Sequence, residues 1–196
     1  MTDRTVVEPG CWDEFFAAGR GFRGVDAHET RLLAGMVPPR AGSRALDVGC
    51  GLGTYAAALA GLGHRTLAVD RSEAALAAVR DRYDGVQPRL SVRRVDFEDA
   101  AEVAAHLPEG GFDLITMRLV LAFMADKAAV AERVRRLLAP GGRWVVTTPL
   151  AGRLPAPRRH IGLSPQDTAL VTDPFDHGHW YDLEPGGLRC YVLDRR

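Results

Sequence analysis

From Arg44 onward, short apolar runs alternate with longer stretches of mixed apolar and polar residues. The runs Arg44–Val48, Thr66–Val69, Leu90–Val95, Phe112–Met117 and Arg143–Thr148 predict five strands. Between them, Tyr55–Leu62, Ser72–Arg82, Glu98–Leu107 and Lys127–Leu138 predict helices, the last broken by Pro140-Gly141-Gly142 before the fifth strand. Strands separated by helical crossovers imply a parallel sheet covered on both faces, so the fold class is α/β, doubly wound. Upstream, helices are expected at about Trp12–Ala18 and Asp26–Met36, with Asp26 as the cap of the second and Gly19–Gly24 as the loop between them. Downstream, Ser164-Pro165-Gln166-Asp167 reads as a helix start. Trp180–Leu183 and Leu188–Leu193, around Glu184-Pro185-Gly186-Gly187, then read as an antiparallel hairpin.

With 196 residues the chain fits a single domain, 1–196. Its expected parts are a helical cap over 1–40, a core over 44–149, and a loop, helix and hairpin over 150–196. Acids and bases balance at 25 each, so no global field draws the chain to nucleic acid or to an anionic membrane. No apolar run approaches membrane-spanning length, and the start, Met1-Thr2-Asp3-Arg4, has no apolar targeting core. Three scattered cysteines, Cys11, Cys50 and Cys190, suit reduced thiols in a cytoplasm better than a disulfide framework.

Candidate chemistry concentrates at the carboxyl ends of the expected strands, where open parallel sheets bind ligands. Asp47 leads into Gly49-Cys50-Gly51-Leu52-Gly53, and a helix follows. Glycines at alternate places let a ligand approach the main chain, and the helix start offers unpaired N–H groups. Asp70 closes the second strand, where an acid can accept from both ribose hydroxyls. Asp96-Phe97 closes the third, an acid and a ring suited to an adenine amino group and face, and Arg118 follows the fourth. A dinucleotide loop usually has the G-x-G-x-x-G spacing, but the sixth place here is Thr54, and the carboxylate of Asp47 would meet a pyrophosphate badly. The same carboxylate suits the ammonium of a methionine moiety.

In these residues the sequence resembles the class I S-adenosylmethionine-dependent methyltransferases, small-molecule type. The resemblance rests on Leu46–Gly53, Val69-Asp70-Arg71-Ser72, Asp96-Phe97, Phe112-Asp113-Leu114-Ile115 and Leu137–Gly142. It implies a Rossmann-like sheet of seven strands with the last antiparallel. Asp47, Gly49, Cys50, Gly51 and Gly53 would hold the methionine end of S-adenosyl-L-methionine, Asp70 the ribose, Arg71 the flank of the adenine, and Asp96 and Phe97 its edge and face. Arg118 joins them as a cofactor-side candidate. Trp12-Asp13-Glu14-Phe15-Phe16 also resembles an amino-terminal cap that closes over cofactor and acceptor. The expected reaction moves a methyl group to O, N or C of a small molecule such as a metabolite or natural product, releasing S-adenosyl-L-homocysteine. Rival readings are cofactor binding without methyl transfer, an NAD(P) oxidoreductase, and a macromolecular acceptor.

On the acceptor side, the fifth strand should end at the cofactor edge, so Leu150–Gly162 should lie there with Arg153, Arg158, Arg159 and His160. His160, beside an arginine pair that suits a carboxylate-bearing acceptor, and His28 are the candidate bases; a general base is optional for so activated a donor. Met117 reads as core, whereas Phe123 is open to either role. The helix from Ser164 should carry Asp173–His179 to the opposite end of the sheet. His177-Gly178-His179 therefore reads as a surface loop, and no metal site is expected.

Overall fold

The computed structural model describes residues 9–85, 87–183 and 187–195. The amino-terminal residues Met1–Arg4 lie outside that range, as do Glu184, Pro185 and Gly186 of the expected hairpin turn. Two helices, α1 (Pro9–Ala17) and α2 (Ala27–Met36), precede β1 (Arg44–Val48). Then α3 (Thr54–Leu62), β2 (Arg65–Asp70), α4 (Glu73–Tyr83), β3 (Leu90–Arg94), α5 (Ala100–His106) and β4 (Phe112–Arg118) alternate. Past β4 come α6 (Lys127–Leu137), β5 (Leu138–Pro149), α7 (Pro165–Thr172), β6 (His177–Leu183) and β7 (Leu188–Asp194). The seven strands lie in the order β3-β2-β1-β4-β5-β7-β6, with β7 antiparallel to both of its neighbours. No helix of the described residues is long and apolar enough to cross a membrane.

The core has two halves because the strands are buried on both faces, as a sheet sandwiched between helices requires. Leu46, Val48, Ile115, Met117, Trp144 and Val146 pack on one side with α6 and α7 residues such as Val134 and Val171. Ala45, Leu114, Val145 and Val192 alternate onto the other, against Leu33 of α2 and Tyr55 and Leu59 of α3. Local chemistry sets the helix starts. Asp26, Ser72, Asp99, Asp126 and Ser164 each accept a backbone N–H of the first turn. Ser164 and Asp167 complete a reciprocal capping box.

Three local expectations need correction. Pro140-Gly141-Gly142 does not separate helix from strand; it lies inside β5, which starts at Leu138 with a register shift against β4 and pairs again from Arg143. The expected helix over Glu98–Leu107 is shorter, because Asp99 caps it. His177-Gly178-His179 is not a loop but the start of β6, where pairing with Leu193 and Val192 outweighs the weak strand propensity of glycine and histidine. Its place at the amino end of the parallel strands agrees with the expected chain path, since His177 pairs with Asp194 and Asp194 with Arg143.

Trp144 is fully buried and sits 5.4 Å from the Phe175 ring, while its indole N–H has no hydrogen-bond partner among the described residues. Trp144→Ala should therefore cost about 3–5 kcal/mol in urea unfolding. Trp144→Phe should cost clearly less, because it removes an unsatisfied donor along with some packing. Equal losses for the two variants would contradict this view of the core.

Candidate functional site

Strand order reverses between β1 and β4, so the chain leaves these two adjacent strands in opposite directions and opens a crevice above their carboxyl ends. A cleft of about 990 Å³, including its solvent-open mouth, occupies that place. Its floor is the loop from Asp47 to Thr54; Asp70 and Arg71 from β2 and Val95–Glu98 beyond β3 line one end. Arg118–Val120, Phe123 and Met124 after β4 line the other side, and Trp12, Phe16 and Phe22 cover it.

The loop is held by its backbone. Gly49 and Cys50 donate to the Val69 carbonyl at 2.8 and 3.1 Å, and Gly51 donates to Asp70 Oδ2 at 2.9 Å. Gly49 has φ +66°, and a Cβ there would stand 2.5 Å from the Val120 side chain, so both conformation and space demand glycine. A Cβ on Gly51 would press on the Phe16 ring at 3.2 Å, which shows how closely the cap sits on the loop.

Register places the first acid. Asp47 of β1 pairs with Thr116 of β4, whose hydroxyl donates to Asp47 Oδ1 at 2.6 Å. The second oxygen, Oδ2, is buried with no hydrogen-bond partner among the described residues. Burial lifts this carboxyl to about 7, against the Thr116 hydrogen bond and the Arg118 charge, which pull it down. Asp70 is 7 % exposed, and burial raises its carboxyl as well, while the Ser72 and Gly51 amides counter it. Each Asp70 oxygen accepts one amide, at 2.9 Å from Ser72 and from Gly51, which leaves further lone pairs toward the cleft. The Cys50 thiol is pushed well up, chiefly by burial and then by the two acids.

At the far rim Asp96 pairs with Arg71 at 2.8 Å, and Glu98 approaches the same guanidinium at 3.8 Å. Arg71, Asp96 and Glu98 thus form one charged rim. Phe97 is nearly buried and belongs as much to the core as to the cleft, with the Arg133 guanidinium over its ring and bonded to its carbonyl.

The expected cofactor-side residues Asp47, Gly49, Cys50, Gly51, Asp70, Arg71, Asp96, Phe97 and Arg118 all line this one cleft. Gly53 does not; its φ of +73° shapes the start of α3, and a Cβ there would strike Val79 at 2.7 Å. Arg118 lines the cleft in another capacity than expected. Its guanidinium donates to both Glu29 oxygens at 2.8 and 2.9 Å, and to the carbonyls of Arg23 and Gly24 at 2.6 and 3.2 Å. With Glu29 and Arg118 side chains 5 % and 8 % exposed, this is a buried ion pair that fastens α2 and its preceding loop to the end of β4. Glu29 was not singled out in the sequence, where it reads as an ordinary first-turn helix acid. The residue after Arg118, Leu119, is the one non-glycine with positive φ (59°) among the described residues.

The candidate bases are also misplaced. His28 is exposed on α2, and His160 is exposed on the short 3-10 turn Ala156–Ile161; neither lines the cleft. His28 fails because the helix face that Leu33 buries also turns Glu29, not His28, inward.

The aromatic cap is one cluster. Trp12 meets Phe123 edge-on at 5.1 Å and Phe22 at 5.9 Å, while Phe15 stacks on Phe22 at 5.4 Å. Asp13 accepts from the Ser72 hydroxyl at 2.6 Å and the Ala74 amide at 3.2 Å, tying α1 to the start of α4.

Two predictions arise here. Glu29→Ala would strand a buried guanidinium and should cost about 3 kcal/mol in urea unfolding. The double change Glu29→Leu with Arg118→Met should recover part of that loss; a Glu29→Ala effect near zero would contradict the pair's burial. Because the folded Asp47 pKa lies above its unfolded value of 3.8, the native state keeps the proton longer. This acid then lowers stability as pH rises from about 4 to 7. In ligand-free protein, Asp47→Asn should be the more stable by on the order of 2–4 kcal/mol at pH 8, and the gap should close toward pH 4. A gap independent of pH in urea titrations would overturn it.

Comparison with known proteins agrees with this geometry. A family model described as a methyltransferase domain matches residues 46–146. A ubiquinone biosynthesis O-methyltransferase of Thiobacillus denitrificans is 40% identical over 107 residues, covering 55% of this chain and 44% of the relative. The ribosomal protein L11 methyltransferase of Thermus thermophilus is 35% identical over 186 residues, covering 92% of this chain and 64% of that one. The chain spans roughly half of such curated relatives. In structure, an S-adenosylmethionine dependent methyltransferase from Mesorhizobium loti superposes with a TM-score of 0.67 at 23% identity, over 86% of this chain and 98% of that one. The sheet order, the loop after β1 and the match over 46–146 together place the chain in the class I S-adenosylmethionine-dependent methyltransferase family.

Proposed function

We propose that this chain transfers a methyl group from S-adenosylmethionine to oxygen, nitrogen or carbon of a small molecule. The observation that carries this reading is Asp47 Oδ2, a buried carboxylate oxygen with no hydrogen-bond partner among the described residues, in a residue that lines the cleft. Such an oxygen calls for a cationic N–H donor, and the methionine ammonium supplies one. Asp70 would then accept from the ribose hydroxyls while its other lone pairs keep the glycine loop closed. Arg71, Asp96 and Glu98 would border the adenine, with Val95 and Phe97 as its apolar wall. When bound, the sulfonium supplies an already activated methyl group, so the protein's work is chiefly alignment and exclusion of water. The cap of Trp12, Phe16 and Phe22 provides the exclusion, and the loop ahead of α2, fixed by Arg118, provides a firm edge.

A dinucleotide reading has less support, because a pyrophosphate at the start of α3 would face the Asp47 carboxylate. A protein acceptor is a second reading, favoured by the long match to a relative named for ribosomal protein L11. The small-molecule reading is supported by the relative named for ubiquinone biosynthesis and by the aromatic cap over the cleft.

Isothermal titration should show S-adenosylhomocysteine binding, weakened by roughly 1–3 kcal/mol in Asp70→Ala. Absence of binding by the folded wild-type protein would overturn the assignment. Transfer of labelled methyl to purified ribosomal protein but to no metabolite fraction would favour the protein acceptor.

A further inference from the structure

The chain's charges are balanced in number but not in place. Many of its arginines are engaged: Arg71 by Asp96, Arg118 by Glu29, Arg143 by Asp194, and Arg153 and Arg189 by Asp182. Arg158 and Arg159 are exposed, and among the described residues neither has an acidic partner. They sit on the 3-10 turn Ala156–Ile161, inside a closed excursion of the chain at the carboxyl end of β5. Its neck is fixed by Leu163 N–H on the Pro149 carbonyl and Ala151 N–H on the Leu163 carbonyl, both 2.9 Å. The turn packs against a second 3-10 turn, Leu121–Phe123, whose Phe123 lines the cleft. Arg23, held by Asp26 at 3.3 Å, lines the cleft from the cap. Arg158 and Arg159 thus sit on a turn that neighbours the one bringing Phe123 to the cleft, and Arg23 belongs to the cap side of the same aromatic cluster.

The cap side of the cleft is aromatic. Trp12, Phe22 and Phe123 lie within 5.1–6.0 Å of one another. Rings of this kind take a planar conjugated guest or a cation. A cation is disfavoured on two counts: the arginines repel it, and the rim carboxylates that would accept its N–H groups are engaged. Asp96 and Glu98 face Arg71, Glu98 also accepts the Ala125 amide at 2.6 Å, and Asp26 holds Arg23 at 3.3 Å. An anion meets the opposite situation, with arginines able to offer paired N–H donors to a carboxylate.

We propose that the acceptor is a planar aromatic or conjugated acid, its ring held by Trp12, Phe22 and Phe123 and its anionic group by Arg158 and Arg159, with Arg23 on the cap side. This rests on the methyltransferase reading and adds to it the chemical class of what is methylated. Steering by the exposed arginines makes capture sensitive to salt, because nothing buries those charges.

The test uses three probes of one shape, 1-naphthoate, its neutral amide and 1-naphthylmethylammonium, titrated into the full chain saturated with S-adenosylhomocysteine. Naphthoate should bind about tenfold more tightly than either isostere, as two or three exposed charge pairs acting together would give. That preference should shrink in high salt and vanish in Arg158→Glu with Arg159→Glu, while S-adenosylhomocysteine affinity and thermal midpoint stay unchanged. Phe123→Ala should weaken all three probes alike. Equal or tighter binding of the amide or ammonium, no binding of naphthoate, or a preference that survives charge reversal would each overturn the proposal. Failure of S-adenosylhomocysteine to bind in the first place would instead overturn the methyltransferase reading.

Discussion

Everything at this site depends on the reversal of strand order between β1 and β4. With the two chains leaving in opposite directions, neither crossover covers the space above the strand ends, and a crevice is unavoidable. The β1–β4 register then sets the polarity of that crevice. It pairs Asp47 with Thr116, so one carboxylate oxygen is satisfied within the sheet and the other is left buried, with no hydrogen-bond partner among the described residues. Glycine at position 49 lets Val120 close on the loop from the β4 side, so the same two strands shape its floor and its wall.

The second organising element is Arg118. A guanidinium this deeply buried is costly unless every face of it is used, and here a bidentate carboxylate and two carbonyls use it. The consequence is functional as much as structural. The cap is joined to the strand end that borders the cleft, while Asp13 joins its other helix to Ser72, next to the cleft-lining residues Asp70 and Arg71. Between the two anchors, the loop carrying Phe22 and Arg23 is placed over the mouth. The mouth of the cleft is therefore bordered by residues from separate parts of the chain, the cap and the turn after β4.

The α/β class and the cofactor-side acids follow from local patterns in the sequence. Alternating apolar runs and helices dictate a parallel sheet, and a parallel sheet puts strand ends, hence Asp47, Asp70 and Asp96, on one edge. The position of Leu150–Gly162 on that edge followed from the same rule. The seven-strand count was carried by family resemblance rather than by periodicity. Boundaries were less legible where pairing overrides local preference, as with Pro140-Gly141-Gly142 inside β5 and His177 opening β6. Whether His28 faces the cleft was not legible, because a histidine's chemistry says nothing about which way its helix face turns. Helix α2 buries Leu33 and Glu29 and leaves His28 in solvent.

The sequence by itself determined which acids gather at the carboxyl ends of the strands, because that information lies in runs a few residues long and in the geometry any parallel sheet shares. Tertiary structure alone decided the partners of those residues. The Arg118–Glu29 pair joins positions 89 residues apart, and nothing in either local segment announces the other. The meeting of Trp12 and Phe22 with Phe123, and the packing of the Ala156–Ile161 turn against the Leu121–Phe123 turn, likewise required segments far apart in the chain to fold onto one edge. Contacts of this kind depend on how elements pack, and packing is a property of the whole fold rather than of any stretch within it.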